Sequence, residues 1–143
     1  MSDLSGIRMG VDVGTVRVGV AISDPRGILA TPLTTLARDQ HRGTDLTAAA
    51  ALVAEHAVVE VIVGLPLTLA GSEGSSAVMA REWADGLREH VGDVPVVMVD
   101  ERLTTVTATQ ALHASGRRTK SHKSLIDQAA AVALLQGYLD TVR

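Results

Sequence analysis

At residues 7–22 the sequence reads IRMGVDVGTVRVGVAI. Valine, isoleucine and methionine recur at every second position in both halves of this stretch, 7–13 and 16–22, which is the pattern of β-strands with one buried face. Gly14 and Thr15 lie between the halves and form a tight turn. The chain is therefore predicted to begin with two paired strands, to which the later segments are added.

Further segments extend this pair. A third β-rich segment, 28–36, follows the turn signal Asp-Pro-Arg-Gly at 24–27, so the first three strands are expected to form an antiparallel meander. The remaining periodic segments are helices at 44–56, 75–90, 104–115 and 124–140 and strands at 60–65 and 94–99. The order βββαβαβαα predicts an α/β fold with a mixed five-stranded sheet, in which parallel strands join the meander and helices cover both faces.

The composition is that of one ordinary globular domain. The chain has 143 residues, of which 46% are hydrophobic and 20% charged, enough for one core and too few for two domains of typical size. We therefore treat residues 1–143 as a single domain. No stretch approaches the about 20 apolar residues of a membrane span, and the first residues lack the order of a signal peptide. A cytoplasmic protein with no membrane partner is expected.

The composition also restricts the chemistry. There is no cysteine, which excludes disulfides, thiolate nucleophiles and cysteine-ligated zinc, so any metal must bind oxygen or imidazole ligands. Trp83 and Tyr138 are the only aromatic residues, which argues against a platform for base stacking. The net charge of −3 gives no general attraction for nucleic acid, and binding would depend on a local basic patch.

Acidic residues occur where predicted strands end. Asp12 lies near the carboxyl end of the first strand, beside Gly14, which lets a ligand approach the backbone closely. Asp100 and Glu101 directly follow the last strand, and Asp127 stands at the start of an otherwise apolar helix. Carboxylates converging from these positions would form an oxygen cage suited to Mg²⁺ or Mn²⁺. Two such ions, about 3.5 to 4 Å apart, activate water and stabilise the leaving oxygen in phosphodiester hydrolysis.

Each acid also has an ordinary structural interpretation. A single acid in a globular protein is most often a solvated surface group or a cap. Asp12 could shape the turn by bonding backbone amides, and Asp100 or Glu101 could form a salt bridge to Arg102 or Arg81. The sequence position of these acids alone does not decide between the two interpretations.

The segment just before the last helix combines a cap signal with positive charge. Ser124 and Asp127 fit a helix capping box, in which the acid serves the end of the helix. Residues 114–123 read ASGRRTKSHK, a polar segment that contains glycine. Its four cations, which could contact phosphates or only line a solvated loop, are Arg117, Arg118, Lys120 and Lys123. Because the segment ends close to Asp127, we interpret these cations as a nucleic-acid-binding site.

Four motifs together resemble one family. They are VDVGTVRVGVAISD at 11–24, VGLPL at 63–67, DERLTT at 100–105 and IDQAAAV at 126–132. They cover essentially the whole chain in the expected order, and the combination is far more specific than any one of them. The sequence is similar to the YqgF/RuvX family. The resemblance implies a ribonuclease H-like fold and a nuclease that either processes the 5′ end of precursor 16S ribosomal RNA or resolves Holliday junctions.

The resemblance also implies which acids are catalytic. They would be Asp12, Glu101 and Asp127, with Asp100 as a further candidate ligand, and they would hold one or two Mg²⁺ or Mn²⁺ ions. The related junction resolvases carry their second acid on the fourth strand, where residues 61–64 of this chain are Val-Ile-Val-Gly. Glu101, after the next strand, is therefore expected to take that role.

Other functions are compatible with the same residues. Residues 12–15 also look like the first phosphate motif of actin-type and sugar-kinase ATPases, but those enzymes need two such domains. A second alternative is a non-catalytic RNA-binding assembly factor for ribosomal RNA, in which the basic segment makes the contacts. For a nuclease, the expected partner is a structured RNA or a branched DNA, and junction cleavage on two strands would require a homodimer.

Overall fold

A computed structural model describes residues 5–103 and 122–142. In chain order its elements are β1 (Ile7–Val13), β2 (Arg17–Ser23), β3 (Ala30–Ala37), α1 (Thr44–Glu55), β4 (Val58–Leu65), α2 (Ser75–Arg88), β5 (Val96–Asp100), a short 3-10 helix (Glu101–Leu103) and α3 (His122–Val142). The helix predicted at 104–115 lies outside the described residues. Every other predicted helix and strand is observed, and its ends differ from the predicted ones by at most two residues. None of the described helices has the length and apolar character needed to cross a lipid bilayer.

The five strands form one sheet in the order β3-β2-β1-β4-β5. β1 pairs antiparallel with β2, and β2 pairs antiparallel with β3, which confirms the meander. β4 runs parallel to both β1 and β5. The predicted mixed sheet is therefore confirmed, with β1 at its centre. Because β1, β4 and β5 run in the same direction, their carboxyl ends meet at one edge of the sheet, which is where α/β proteins collect their functional residues.

Hydrophobic side chains cover the two faces of the sheet unequally. On the face covered by α1 and α2, which we call the aliphatic face, Met9 and the alternating valines of β1, β2 and β4 pack into the larger core. The smaller core under α3, on the α3 face, consists of Ala21, Ala30, Ile62, Ala131, Leu134, Leu135 and Leu139. A Cβ added at Gly10 would be 2.7 Å from Leu135 Cβ, so α3 packs close to the backbone of the sheet.

A buried polar network connects α1 to α2 on the aliphatic face. Asp45 in α1 is 3% exposed and accepts a 3.0 Å hydrogen bond from Trp83 Nε1 in α2. Arg38 Nε lies 3.4 Å from the same carboxylate, and Arg38 Nη1 donates a hydrogen bond to the carbonyl of Gly14. The buried acid therefore has a donor and a cation as partners, which a buried carboxylate requires.

Candidate active site

Two of the predicted acids are in contact at the edge where β1, β4 and β5 end. Asp12 lies near the end of β1, and its neighbours Val11 and Val13 point to the opposite, aliphatic face. Glu101 follows β5 directly, and its side chain forms a hydrogen bond with that of Asp12. Burial first, then this hydrogen bond and the charge of Asp12, raise the pKa of Glu101 to about 9. At neutral pH Glu101 therefore keeps its proton.

The Glu101 side chain lies over the end of β4. A Cβ added at Gly64 would be 2.5 Å from both Cγ and Oε1 of Glu101. Any larger residue at position 64 would therefore displace the glutamate, and glycine leaves the space that the glutamate fills. Residues 61–64 carry no acid of their own. The structure thus places a carboxylate over the end of β4 that comes from the end of β5.

Asp127, the third predicted acid, is held next to this pair by α3. The α3 backbone lies so close to β2 that a Cβ added at Gly19 would be 2.1 Å from the Asp127 carbonyl oxygen. Arg17 Nε donates a 3.0 Å hydrogen bond to Asp127 Oδ2. Burial raises the pKa of Asp127, Arg17 acts in the opposite direction, and the charge of Asp12 raises it further. The structure places the Asp127 carboxylate in this ion pair. From the sequence, a role as a helix cap had also been possible.

Asp100 forms an ion pair of its own with Arg102 although it is the immediate neighbour of Glu101. It accepts hydrogen bonds from Arg102 Nε at 3.0 Å and from Arg102 Nη2 at 2.7 Å. These side-chain bonds, followed by one from the Arg102 amide, lower the pKa of Asp100. Arg81, the other arginine that the sequence offered to these acids, pairs with Glu73 instead. The salt-bridge interpretation therefore applies to Asp100, and Glu101 is the acid that faces the site.

The arrangement suits a hard divalent cation in part. Asp12 and Glu101 bring carboxylate oxygens together, and oxygen ligands are those that Mg²⁺ and Mn²⁺ prefer. Over residues 5–103 and 122–142, no three His, Cys, Asp or Glu side chains are grouped so that they could hold a metal ion together. Asp127 is bonded to Arg17 instead of joining the other two acids. A cation therefore fits the Asp12 and Glu101 pair, and a full set of three ligands requires the Asp127 carboxylate to move closer to that pair.

Arg17 is a site residue that the sequence did not single out. Alternation along β2 puts it on the same face as Gly19, and Gly19 is the direct partner of Asp12 in the antiparallel register. Residues two positions from a direct partner are diagonal neighbours across a strand pair. The sequence predicted the turn between β1 and β2, and this turn fixes which residues of the two strands are neighbours. Arg17 could therefore have been identified from its position next to Asp12.

The predicted nucleic-acid-binding residues cannot be placed against these acids. Arg117, Arg118 and Lys120 lie outside the described residues. Lys123 falls within the first turn of α3, where only its backbone is described. Nucleic-acid binding by the basic segment therefore stays a prediction. The segment ends in the first turn of α3, the helix that carries Asp127.

The sheet order, the helices on both faces and the acids at one edge define a ribonuclease H-like fold. RuvC from T. thermophilus, in complex with a Holliday junction substrate, matches with a TM-score of 0.58 and 16% identity over 95% of this chain and 94% of that chain. A second structure of Thermus thermophilus RuvC matches with a TM-score of 0.57 and 15% identity over 94% and 95%. At these identities the likeness establishes the fold alone. The predicted fold class is confirmed.

Sequence comparison assigns the family. The family model described as "RuvX: Holliday junction resolvase" matches residues 6–141. A relative from Rhodococcus jostii, provisionally named pre-16S rRNA nuclease, is 54% identical over 94% of this chain and 78% of its own length. A relative from Mycobacterium ulcerans with the same provisional name is 56% identical over 96% of this chain and 81% of its own. The chain belongs to the RuvX family.

Proposed function

We propose that this protein is a metal-dependent endonuclease that processes the 5′ end of precursor 16S ribosomal RNA. The observation that carries the proposal is the contact between the half-buried carboxyl groups of Asp12 and Glu101 at the end of the central strand. Two such groups repel each other when both are ionised, and an acid whose pKa is as strongly raised as that of Glu101 is typical of a functional site. The names of the relatives at 54% and 56% identity support RNA as the substrate, which would place the enzyme in the cytoplasm.

Asp12 and Glu101 would hold a Mg²⁺ or Mn²⁺ ion, and Asp127 would complete the ligand set. The bound ion supplies a Lewis acid that activates water and stabilises negative charge on the phosphate. The chain orients the ligands through two glycines: Gly64 lets Glu101 reach over β4, and Gly19 lets α3 bring Asp127 close to the sheet. One ion is sufficient for the proposal, and a second would need further oxygen ligands from the phosphate.

Resolution of Holliday junctions is the second candidate, and the description of the matching family model favours it. A resolvase cuts two opposite strands, so it would act as a homodimer with two symmetry-related sites. Both candidates use the same three acids and differ in the substrate. In either case the predicted basic segment would contact phosphates through Arg117, Arg118, Lys120 and Lys123.

A cleavage assay with two substrates tests the proposal. The wild type, Asp12→Asn and the control Asp93→Asn, whose side chain lies in an exposed turn, are each given precursor 16S RNA and a four-way DNA junction, with Mn²⁺ or with EDTA. We expect the wild type and the control to cleave the RNA in Mn²⁺. Asp12→Asn should be slower by about a thousandfold, which corresponds to several kcal/mol of lost transition-state stabilisation.

The other outcomes each lead to a different assignment. Cleavage of the junction, and not of the RNA, would identify a resolvase. RNA binding that salt weakens, without cleavage of either substrate, would indicate the non-catalytic assembly factor. Cleavage that persists in EDTA or in Asp12→Asn would rule out the metal-carboxylate mechanism.

A further inference from the structure

Arg17 and Asp127 form an ion pair inside the candidate site. The donor and acceptor atoms, Arg17 Nε and Asp127 Oδ2, are 3.0 Å apart, and the two side chains are 33% and 22% exposed. Asp12 and Glu101 are bonded to each other, whereas Asp127 is bonded to a cation of the protein itself. One oxygen of the third predicted metal ligand is thus already bonded to a positive group.

We infer that Arg17 and a divalent cation compete for the Asp127 carboxylate, and that the guanidinium released by the cation binds a phosphate of the substrate. The inference rests on the proposed function and deepens it. Arg17 would position Asp127 before the cation binds and contact the substrate afterwards. A guanidinium suits both partners, because its planar fork of N–H donors matches carboxylate and phosphate oxygens alike.

The geometry of Arg17 allows this exchange without movement of the sheet. Its backbone is fixed, because its carbonyl accepts a 2.8 Å hydrogen bond from the Gly14 amide and the residue pairs with Ala37 of β3. Within the described parts of the chain, the guanidinium makes its one hydrogen bond through Nε. Both Nη atoms are therefore available to a phosphate, and rotation about side-chain torsions is enough to reach it.

The electrostatics of the site favour release of the arginine when a cation binds. Asp12 is close enough to Asp127 for its charge to raise the pKa of Asp127. A divalent cation bound by Asp12 would therefore stand close to the guanidinium of Arg17. Like charges at this range repel each other, more strongly in a half-buried site than in water. The ion pair itself is partly exposed and correspondingly weak, so it can be exchanged.

Calorimetric titration with Mn²⁺ alone, at pH 8 and without nucleic acid, tests the competition. Arg17→Gln is expected to bind Mn²⁺ about two- to fivefold more tightly than the wild type, the factor that corresponds to loss of a partly exposed ion pair. Arg26→Gln removes the same charge from an exposed turn and should bind as the wild type does. Arg17→Met, which keeps the aliphatic stem, replaces Arg17→Gln if a thermal melt shows that variant to be unfolded.

A double-mutant cycle separates competition from the general effect of charge. In an Asp127→Asn background, Arg17→Gln should give little or no gain in Mn²⁺ affinity, because no carboxylate is left to compete for. A general electrostatic effect would give the same gain in both backgrounds. At saturating Mn²⁺ the Arg17→Gln variant should also cleave RNA about tenfold more slowly, as expected for loss of a charge-assisted contact to phosphate.

Tighter cation binding combined with slower cleavage is a result that a purely structural salt bridge would not produce. No gain in affinity, an equal gain in both backgrounds, or no measurable Mn²⁺ binding by the wild type would overturn the inference. Failure of the proposed function gives a different result: Asp12→Asn would then bind Mn²⁺ as tightly as the wild type, or cleavage would persist in EDTA.

Discussion

Two acids on opposite faces of the sheet, Asp45 and Glu101, have different surroundings. On the aliphatic face the buried acid is Asp45, and it has Trp83 and Arg38 as partners beside a large valine-rich core. On the α3 face the core is smaller, and Gly10 and Gly19 let α3 approach the backbone of the sheet. That face carries the three candidate catalytic acids, and two of them are bonded to each other rather than to a cation.

This difference indicates that some acids of the sheet stabilise the fold and that others serve the candidate active site. A partnered acid such as Asp45 contributes to stability, because its loss would leave buried donors without an acceptor. An acid pressed against another acid works against stability, because each disfavours the charge of its neighbour. Removal of Asp45 and removal of Glu101 should therefore have opposite consequences, and the following changes test that contrast in order of expected size.

Replacement of Glu101 by glutamine should abolish cleavage without loss of stability. We expect Glu101→Gln to cleave RNA on the order of a thousandfold more slowly, since a metal ligand is lost. Its free energy of unfolding in EDTA at pH 8 should equal or exceed that of the wild type, because an amide, unlike a carboxyl group whose pKa is raised to about 9, does not have to take up a proton on folding. Glu82→Gln, an exposed change in α2, is the control. A clear loss of stability together with normal cleavage would contradict the contrast.

Neutralising Asp45 should have the reverse effect. Asp45→Asn weakens a buried pair in which the side chains are 2% and 11% exposed, so we expect it to lower the free energy of unfolding by about 3 kcal/mol. Cleavage per folded molecule should be unchanged, because the residue lies on the other face. Urea denaturation and the RNA assay measure the two quantities. Cleavage that falls with full stability would place Asp45 in the catalytic machinery.

Glycines on the two faces should also respond differently to alanine. A Cβ at Gly19 meets the backbone carbonyl of Asp127 at 2.1 Å, whereas a Cβ at Gly86 in α2 meets Leu46 Cδ1, the end of a flexible side chain, at 2.7 Å. Gly19→Ala should therefore displace α3 and cost about 2 kcal/mol. Gly86→Ala should lie within about 1 kcal/mol of the wild type, because better helix propensity offsets the contact. Equal shifts in melting temperature would show that α3 is not packed as described.

Acid should weaken the start of α1 by a smaller amount. A hydrogen bond from the Thr44 hydroxyl at 2.6 Å, together with bonds from backbone amides, lowers the pKa of Asp39 to about 2. Between about pH 2 and pH 4 the unfolded state then binds more protons, so this stabilisation is complete above about pH 4 and is lost as the pH falls towards 2. Asp39→Asn should show a shallower fall in melting temperature over this range than the wild type or Asp93→Asn. Identical slopes would count against this role.

The sequence predicted those parts of the fold that depend on local pattern. Alternating valines marked the strands, and the turn between β1 and β2 followed from Gly14 and Thr15. The local pattern could not decide whether Asp100 or Glu101 is the site residue, because that depends on the path of the chain after β5. Only the family resemblance favoured Glu101. The pair of Arg17 and Asp127 joins positions 110 residues apart, and only the packing of α3 on the sheet brings them together.

The distance along the chain between Asp12 and Asp127 also determines the stage of protein synthesis at which the site can first form. Within this domain β1 is synthesised before the other strands, and α3 is made only after every strand of the sheet. A nascent chain that stops short of α3 has two acids at the sheet edge and lacks both the third acid and the helix that carries it. Since such units fold cooperatively, a protein proposed to cut ribosomal RNA has no complete site until α3 has been translated.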